Sequence, residues 1–239
     1  MTGLLIPARF NGPPGSGNGG FTAGRIASFF DFDAVVQVTL RQPPPLEVEL
    51  SFSDGELRHG ERLVAQAHQV DAHALGDPVP AVDLDTAAAA MNRFDGLDRH
   101  PFPTCFVCGT ARPEHDGLEL FAGATAPGAA AAVFEPRTDL VQSYVGTGLG
   151  DSIGPEMLWC ALDCPGGWAT GLPGRPAVLG RMTARVTSLP MVGERCVIVG
   201  QLDAEAGRKL LTRTTAYGQD GRELGRAAAT WIVVAPATG

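Results

Sequence analysis

The sequence predicts an α+β protein in which one unit, a helix wrapped by an antiparallel sheet, occurs twice. Three observations predict it. Apolar residues recur at helical spacing (i, i+3, i+4, i+7) in two places: Ala23, Ile26, Ala27 and Phe30, then Leu158, Ala161, Leu162 and Pro165. A glycine-rich loop precedes each of these stretches. A run of β-type segments, broken by turn signals, follows each of them.

The elements follow in order. Phe10 to Gly20 carries so many glycines and prolines that it reads as loop, with Asn18 as the N-cap of the first helix. Val35 to Leu40, Leu46 to Phe52 and Arg62 to Val70 read as strands, with turns at Asp54-Gly55 and His59-Gly60. Residues 76–104 form a connector holding a short alanine-rich helix from Asp85 to Asn92, with Pro78, Pro80, Pro101 and Pro103 around it. Gly117 to Phe121 and Ala130 to Phe134 read as the opening strands of the second half. A polar loop from Ser143 to Gly154 then leads into the second helix, which Pro165 is expected to bend or end. Four strands follow: Val178 to Thr187, Glu194 to Leu202, Lys209 to Tyr217 and Glu223 to Val234. Asp220-Gly221 makes the last hairpin. In each half the segment after the helix runs into a proline turn, at Arg41 to Leu46 and at Thr187 to Met191. This divides the chain into residues 1–75, a connector 76–104, and residues 105–239. The competing reading is one α+β domain whose halves are alike by chance.

Composition sets outer limits. With 239 residues, 44% of them hydrophobic and 18% charged, the chain can bury a sizeable core. A net charge of −8 without clustered Lys and Arg argues against a nucleic-acid partner. No apolar run approaches the roughly 20 residues of a membrane span. Met1 to Phe10 lacks the pattern of a signal peptide, so a cytoplasmic location is expected. The five cysteines are expected to be reduced.

Two short motifs carry a resemblance. Cys105-Phe-Val-Cys-Gly109 followed by Asp116-Gly-Leu-Glu-Leu-Phe121 resembles hotdog-fold thioesterases of the phenylacetate-operon type. Asn18-Gly19-Gly20 resembles that family's His-Gly-Gly at the start of the central helix, with Asn for His. Asp163 stands where the family carries its catalytic acid. Over nearly the whole chain the resemblance implies a double hotdog: two central helices, each wrapped by an antiparallel sheet, with the sheets joined edge to edge. It departs at Gly154-Pro155-Glu156, where the second helix lacks the glycine pair, and at Ala27, where the first lacks the acid. Each half lacks what the other has, so one composite site of two is expected.

The chemistry implied is hydrolysis of an acyl thioester, carried by coenzyme A or acyl carrier protein, without a cofactor. Asp163 would activate water or attack the carbonyl, and the Gly19 and Gly20 amides would hold the oxyanion. As the lone charge between Met157 and Leu172, Asp163 is expected to be buried with a raised pKa; the plain alternative is a solvated aspartate. Asn18, Phe21, Phe30, Trp159 and Glu156 are the expected substrate contacts, with Phe29 as further apolar surface, and Asp151 and Ser152 are weaker candidates. Arg41, Arg181, Arg185 and Arg213 could meet phosphates. A homodimer of double hotdogs is compatible with this reading.

Other patterns lead elsewhere. A non-catalytic acyl-CoA or lipid binder is the rival function, since Asn18 replaces the family's His. An enoyl hydratase would need an Asp/His pair at short helical spacing, which is missing. Gly15-x-Gly17-x-x-Gly20 has no strand leading into it, so it is no dinucleotide fingerprint. Cys105 and Cys108 lack a second pair at zinc-finger spacing. With Cys160 and Cys164, or His100 and His115, left as unpaired suggestions, no metal is expected.

Overall fold

The computed structural model describes residues 2–141 and 151–235. Among the described residues eleven strands form a single sheet in which every pairing is antiparallel. They are β1 (Thr2–Leu5), β2 (Val36–Leu40), β3 (Glu49–Ser53), β4 (Glu56–His59), β5 (Arg62–Gln69), β6 (Gly123–Ala126), β7 (Ala129–Phe134), β8 (Ala177–Val186), β9 (Cys196–Ala206), β10 (Lys209–Tyr217) and β11 (Glu223–Val233). The helices are α1 (Gly19–Ala27), α2 (Leu84–Met91), α3 (Gly96–Arg99) and α4 (Pro155–Trp168).

The spatial order is β1-β3-β4-β5-β2-β8-β11-β10-β9-β7-β6. Around α1 the strands lie β1-β3-β4-β5-β2; around α4 they lie β7-β9-β10-β11-β8, the same permutation, with β6 added outside. The two sets meet where β2 pairs with β8, Val36 opposite Ala184 and Thr39 opposite Arg181. These are the equivalent strands of the two sets, each the first after its helix.

The two long helices fill the hollow of this sheet. Every residue of α4 from Glu156 to Trp168 is buried, as expected of a helix with apolar and small residues on all sides. α1 lies against it with backbones nearly touching. A Cβ at Gly20 would sit 2.7 Å from Asp163 Cβ and 2.8 Å from the Trp159 carbonyl oxygen, and one at Gly24 would sit 2.7 Å from Glu156 Cα. Moving forward along α1 moves backward along α4, so the helices are antiparallel, and glycines four apart set their spacing. One core cluster reaches across both halves, from Leu4 and Phe21 to Leu158, Ile198 and Trp231.

Several expectations need correction. β1 and β4 were not foreseen: each has only four residues, and β4 fits between two turn signals that read as one connection. Gly117 to Phe121 is not a strand. The Leu118 and Leu120 amides bond to the Phe106 and Val107 carbonyls, but Glu119 sits at φ 56°, which breaks an extended run, and the strand begins at Gly123. Pro165 does not end α4, which continues to Trp168 because the sheet clamps it. Gly200 of β9 passes so close that a Cβ there would lie 2.4 Å from the Pro165 carbonyl oxygen. The connector helix is α2, capped by Asp83, and it packs on the sheet through Ala87 and Ala90. Most of the expected loop from Ser143 to Gly154 lies outside the described residues.

Candidate functional site

Asn18 builds the start of α1. Its Oδ1 accepts the Phe21 amide at 2.8 Å, the ordinary N-cap bond. Its Nδ2 points the other way, toward Asp163 Oδ2 at 3.3 Å and Cys105 Sγ at 3.8 Å. The Gly20 amide donates to the same Asp163 oxygen at 2.9 Å. An acid in the second half of the chain therefore meets the N-terminus of the helix in the first half. The Gly20 amide is engaged by this carboxylate, a correction to the expectation that both glycine amides stand free. The Gly19 amide has no acceptor among the described residues.

Asp163 is 2% exposed. Burial pushes its carboxyl up to about 7, the nearby Cys105 sulfur adds to the rise, and the bonds from Gly20 and Asn18 hold it back. Its second oxygen, Oδ1, is buried without a hydrogen-bond partner among the described residues. An unpaired carboxylate oxygen in an apolar interior is costly unless water or a ligand reaches it. Asp163 borders a small cavity of about 40 Å³, space for water, shared with Asn18, Gly19, His100, Cys105 and Cys164.

Gly19 also borders a larger groove of about 390 Å³, lined by Pro13, Pro14, Arg41, Pro44 and Leu179. Pro13, Gly19, Val178 and Leu179 line both spaces. Among the described residues the Arg41 side chain bonds only to the Gln66 amide oxygen, leaving its charge without a counterion. Arg213 is held by Asp203, and Arg181 bonds to Thr39.

The expected apolar contacts separate from Asp163. Phe21 is fully buried and stacks on Phe10 at 3.9 Å, a core position. Phe30 and Trp159 line a different cavity of about 190 Å³ at the far end of α1, because the antiparallel helices carry Trp159 past Gly24. Phe29 stacks on Phe52. Glu156 is buried in the first turn of α4, away from the Asp163 cavity, and Ser152 bridges to Met191. Asp151 accepts the Val192 amide through its backbone carbonyl. The neighbours of Asp163 that sequence reasoning missed are His100, Phe102, Leu172 and Trp231.

His100 takes part only as a brace. Its Nδ1 accepts the Phe102 amide and its Nε2 bonds to the Cys108 carbonyl, both at 2.9 Å, and its ring packs edge-on to Trp168. Burial pushes its pKa down, which keeps the ring neutral.

No helix among the described residues is long and apolar enough to cross a membrane. No protein-family model matches the chain, and no curated protein matches it. Solved structures do. A Streptococcus mutans UA159 protein bound to acetyl CoA is 15% identical, with 48% of this chain and 88% of that one covered and a TM-score of 0.42. A hypothetical thioesterase of Streptococcus pneumoniae TIGR4 with coenzyme A is 13% identical, covering 48% and 85%, with a TM-score of 0.42. The E. coli PaaI protein from the phenylacetic acid degradation operon is 12% identical, covering 50% and 82%, with a TM-score of 0.44. Each of these likenesses covers about half of this chain, and at identities and scores this low the chemistry of the site has to be read from its own geometry.

Proposed function

We propose that the chain is a fused double hotdog that hydrolyses an acyl thioester, with acyl-CoA as the substrate class. The repeated strand permutation, joined through equivalent strands, supports the duplication. In this reading residues 1–75 and 105–239 are the two units and 76–104 the connector, with the Cys105–Gly109 loop reaching back to the first unit through the Phe106 amide and Asn11 carbonyl.

One observation carries the chemistry: the buried Asp163 carboxylate is fixed by the Gly20 amide across the two units, with its other oxygen unpaired beside a cavity that Gly19 also borders. The thioester would come along the groove past Arg41, whose free charge suits a phosphate, and set its carbonyl oxygen against the Gly19 amide at the positive end of α1. Asp163 Oδ1 takes a proton from water as the water oxygen bonds to the carbonyl carbon. The tetrahedral intermediate then breaks its C–S bond, and the leaving thiolate recovers the proton from Asp163. The products are a carboxylic acid and a thiol.

Purified full-length protein offered acyl-CoAs of increasing chain length, with a thiol-trapping dye, tests this. Thiol release at catalytic turnover is expected for some chain length. Tight binding across the series with no release above the uncatalysed rate would instead mark a non-catalytic binder.

A further inference from the structure

The side chains of Cys105, Cys108 and Cys164 converge, and thioester chemistry does not require them. Their sulfur atoms all lie within 4.8 Å of one another, and Cys105 and Cys164 are 3.9 Å apart. A tetrahedral zinc–thiolate site, with Zn–S near 2.3 Å, places its sulfurs about 3.8 Å from each other. The three thiols thus stand close to the spacing an ion would impose. They come from two places, a Cys-x-x-Cys turn and a helix more than fifty residues later.

The turn that carries two of these sulfurs is tightly braced. Asn18 Nδ2 donates toward the Cys105 sulfur at 3.8 Å. The Gly109 amide closes the turn onto the Cys105 carbonyl at 2.8 Å. Only glycine fits there, since a Cβ would lie 2.5 Å from that oxygen and 2.6 Å from the Pro103 carbonyl oxygen. His100 holds the Cys108 carbonyl at 2.9 Å, and Arg112 holds the Thr104 carbonyl at 2.8 Å. A bare thiolate buried among apolar side chains is costly. All three cysteines are 5% exposed or less. Three buried thiols at this spacing offer a thiophilic cation the soft, closely grouped ligands it prefers, and its charge offsets that cost.

We propose that Cys105, Cys108 and Cys164 bind a zinc ion. The ion would pin the Cys-x-x-Cys turn to α4 one residue from Asp163 and keep one coordination position toward the cavity, for water or another exchangeable ligand. Sequence alone set this aside for want of a second cysteine pair. The fold supplies a single third thiol, and Cys160, one helical turn earlier, is not in the group.

Metal content is read separately from hydrolysis, so either reading can fail without the other. Untagged full-length protein, purified without chelator, is analysed for zinc by mass spectrometry, then stripped and titrated with cobalt(II). About one equivalent of zinc per chain is expected, with a thiolate-to-cobalt charge-transfer band that saturates at the same stoichiometry. Cys164→Ser should reduce bound metal by about tenfold or more, the scale of losing a ligand or its support, while Cys196→Ser, on β9 outside the cluster, keeps it. Should Cys164→Ser fail to fold by circular dichroism, the wild-type cobalt titration decides alone. Wild-type protein that holds no zinc and gives no charge-transfer band overturns the proposal, as does a band unchanged in well-folded Cys164→Ser.

Discussion

Asp163 would be an expensive residue in an ordinary core, and its surroundings show how the cost is met. One oxygen receives two N–H donors, from Gly20 and Asn18, while the other is left to the cavity. Asn18 therefore holds two elements at once, capping α1 with its oxygen and orienting the acid with its nitrogen. Asn18→Ala should lose about 1 kcal/mol through the cap alone, or roughly 2–4 °C in Tm for a chain of this size. It should also lower turnover beyond what the stability loss explains. Thermal unfolding and steady-state kinetics on the same sample check both. A Tm unchanged within error would show that the cap bond contributes nothing. The acid and its glycines were legible in the sequence, because a lone charge in an apolar helix and a Gly-Gly at a helix start are local patterns. That the Gly20 amide would be engaged by the acid was not legible, since it depends on how closely the two helices approach.

At the scale of elements, the α1–α4 contact is where small residues matter most. Gly20 and Gly24 leave no room for a methyl group, and the nearest atoms are backbone and Cβ atoms, which cannot rotate away. Gly24→Ala should destabilise the fold by about 1–3 kcal/mol, as overpacking does, with a lower denaturant midpoint and an unchanged slope. A midpoint equal to wild type would mean that the helices can part without loss. The β10–β11 hairpin has a different anchor. Arg222 grips Glu194 at 2.7 and 2.8 Å and reaches Asp220 at 2.8 Å. The Glu194 carboxyl is held below its usual range, first by its bonds to Arg222. A depressed carboxylate contributes stability above its unfolded pKa and loses it as pH falls through the folded one. Glu194→Gln should therefore lower Tm at neutral pH, and the gap from wild type should close as the solution becomes acidic. A gap that widens in acid would contradict this. The helices and long strands were legible because periodicity and turns are local. β1, β4 and the β6 boundary were not, because pairing across the sheet decided them and each is only four residues long.

At the scale of the whole molecule, two sets of strands with the same permutation share one sheet. One core cluster crosses the β2–β8 seam, and in the proposed function the site takes its amides from residues 1–75 and its acid from residues 105–239. Calorimetry should show one cooperative transition with calorimetric and van't Hoff enthalpies in agreement; two resolved transitions would mean that the halves are separate domains. The order of helices and long strands along the chain was legible in the sequence. The meeting of Cys164 with Cys105 and Cys108 was not, because nothing in local spacing says which helix face will look at a distant turn. The most direct measurement for the account as a whole is single-turnover thiol release from acyl-CoA by Asp163→Asn beside wild type, with binding measured on the same samples. The near-isosteric amide should keep acyl-CoA affinity within a few-fold while release falls by about 10²–10⁴, the usual range for losing a general base. Release at the wild-type rate from a folded Asp163→Asn protein would show that the acid at the seam between the units does not do the chemistry.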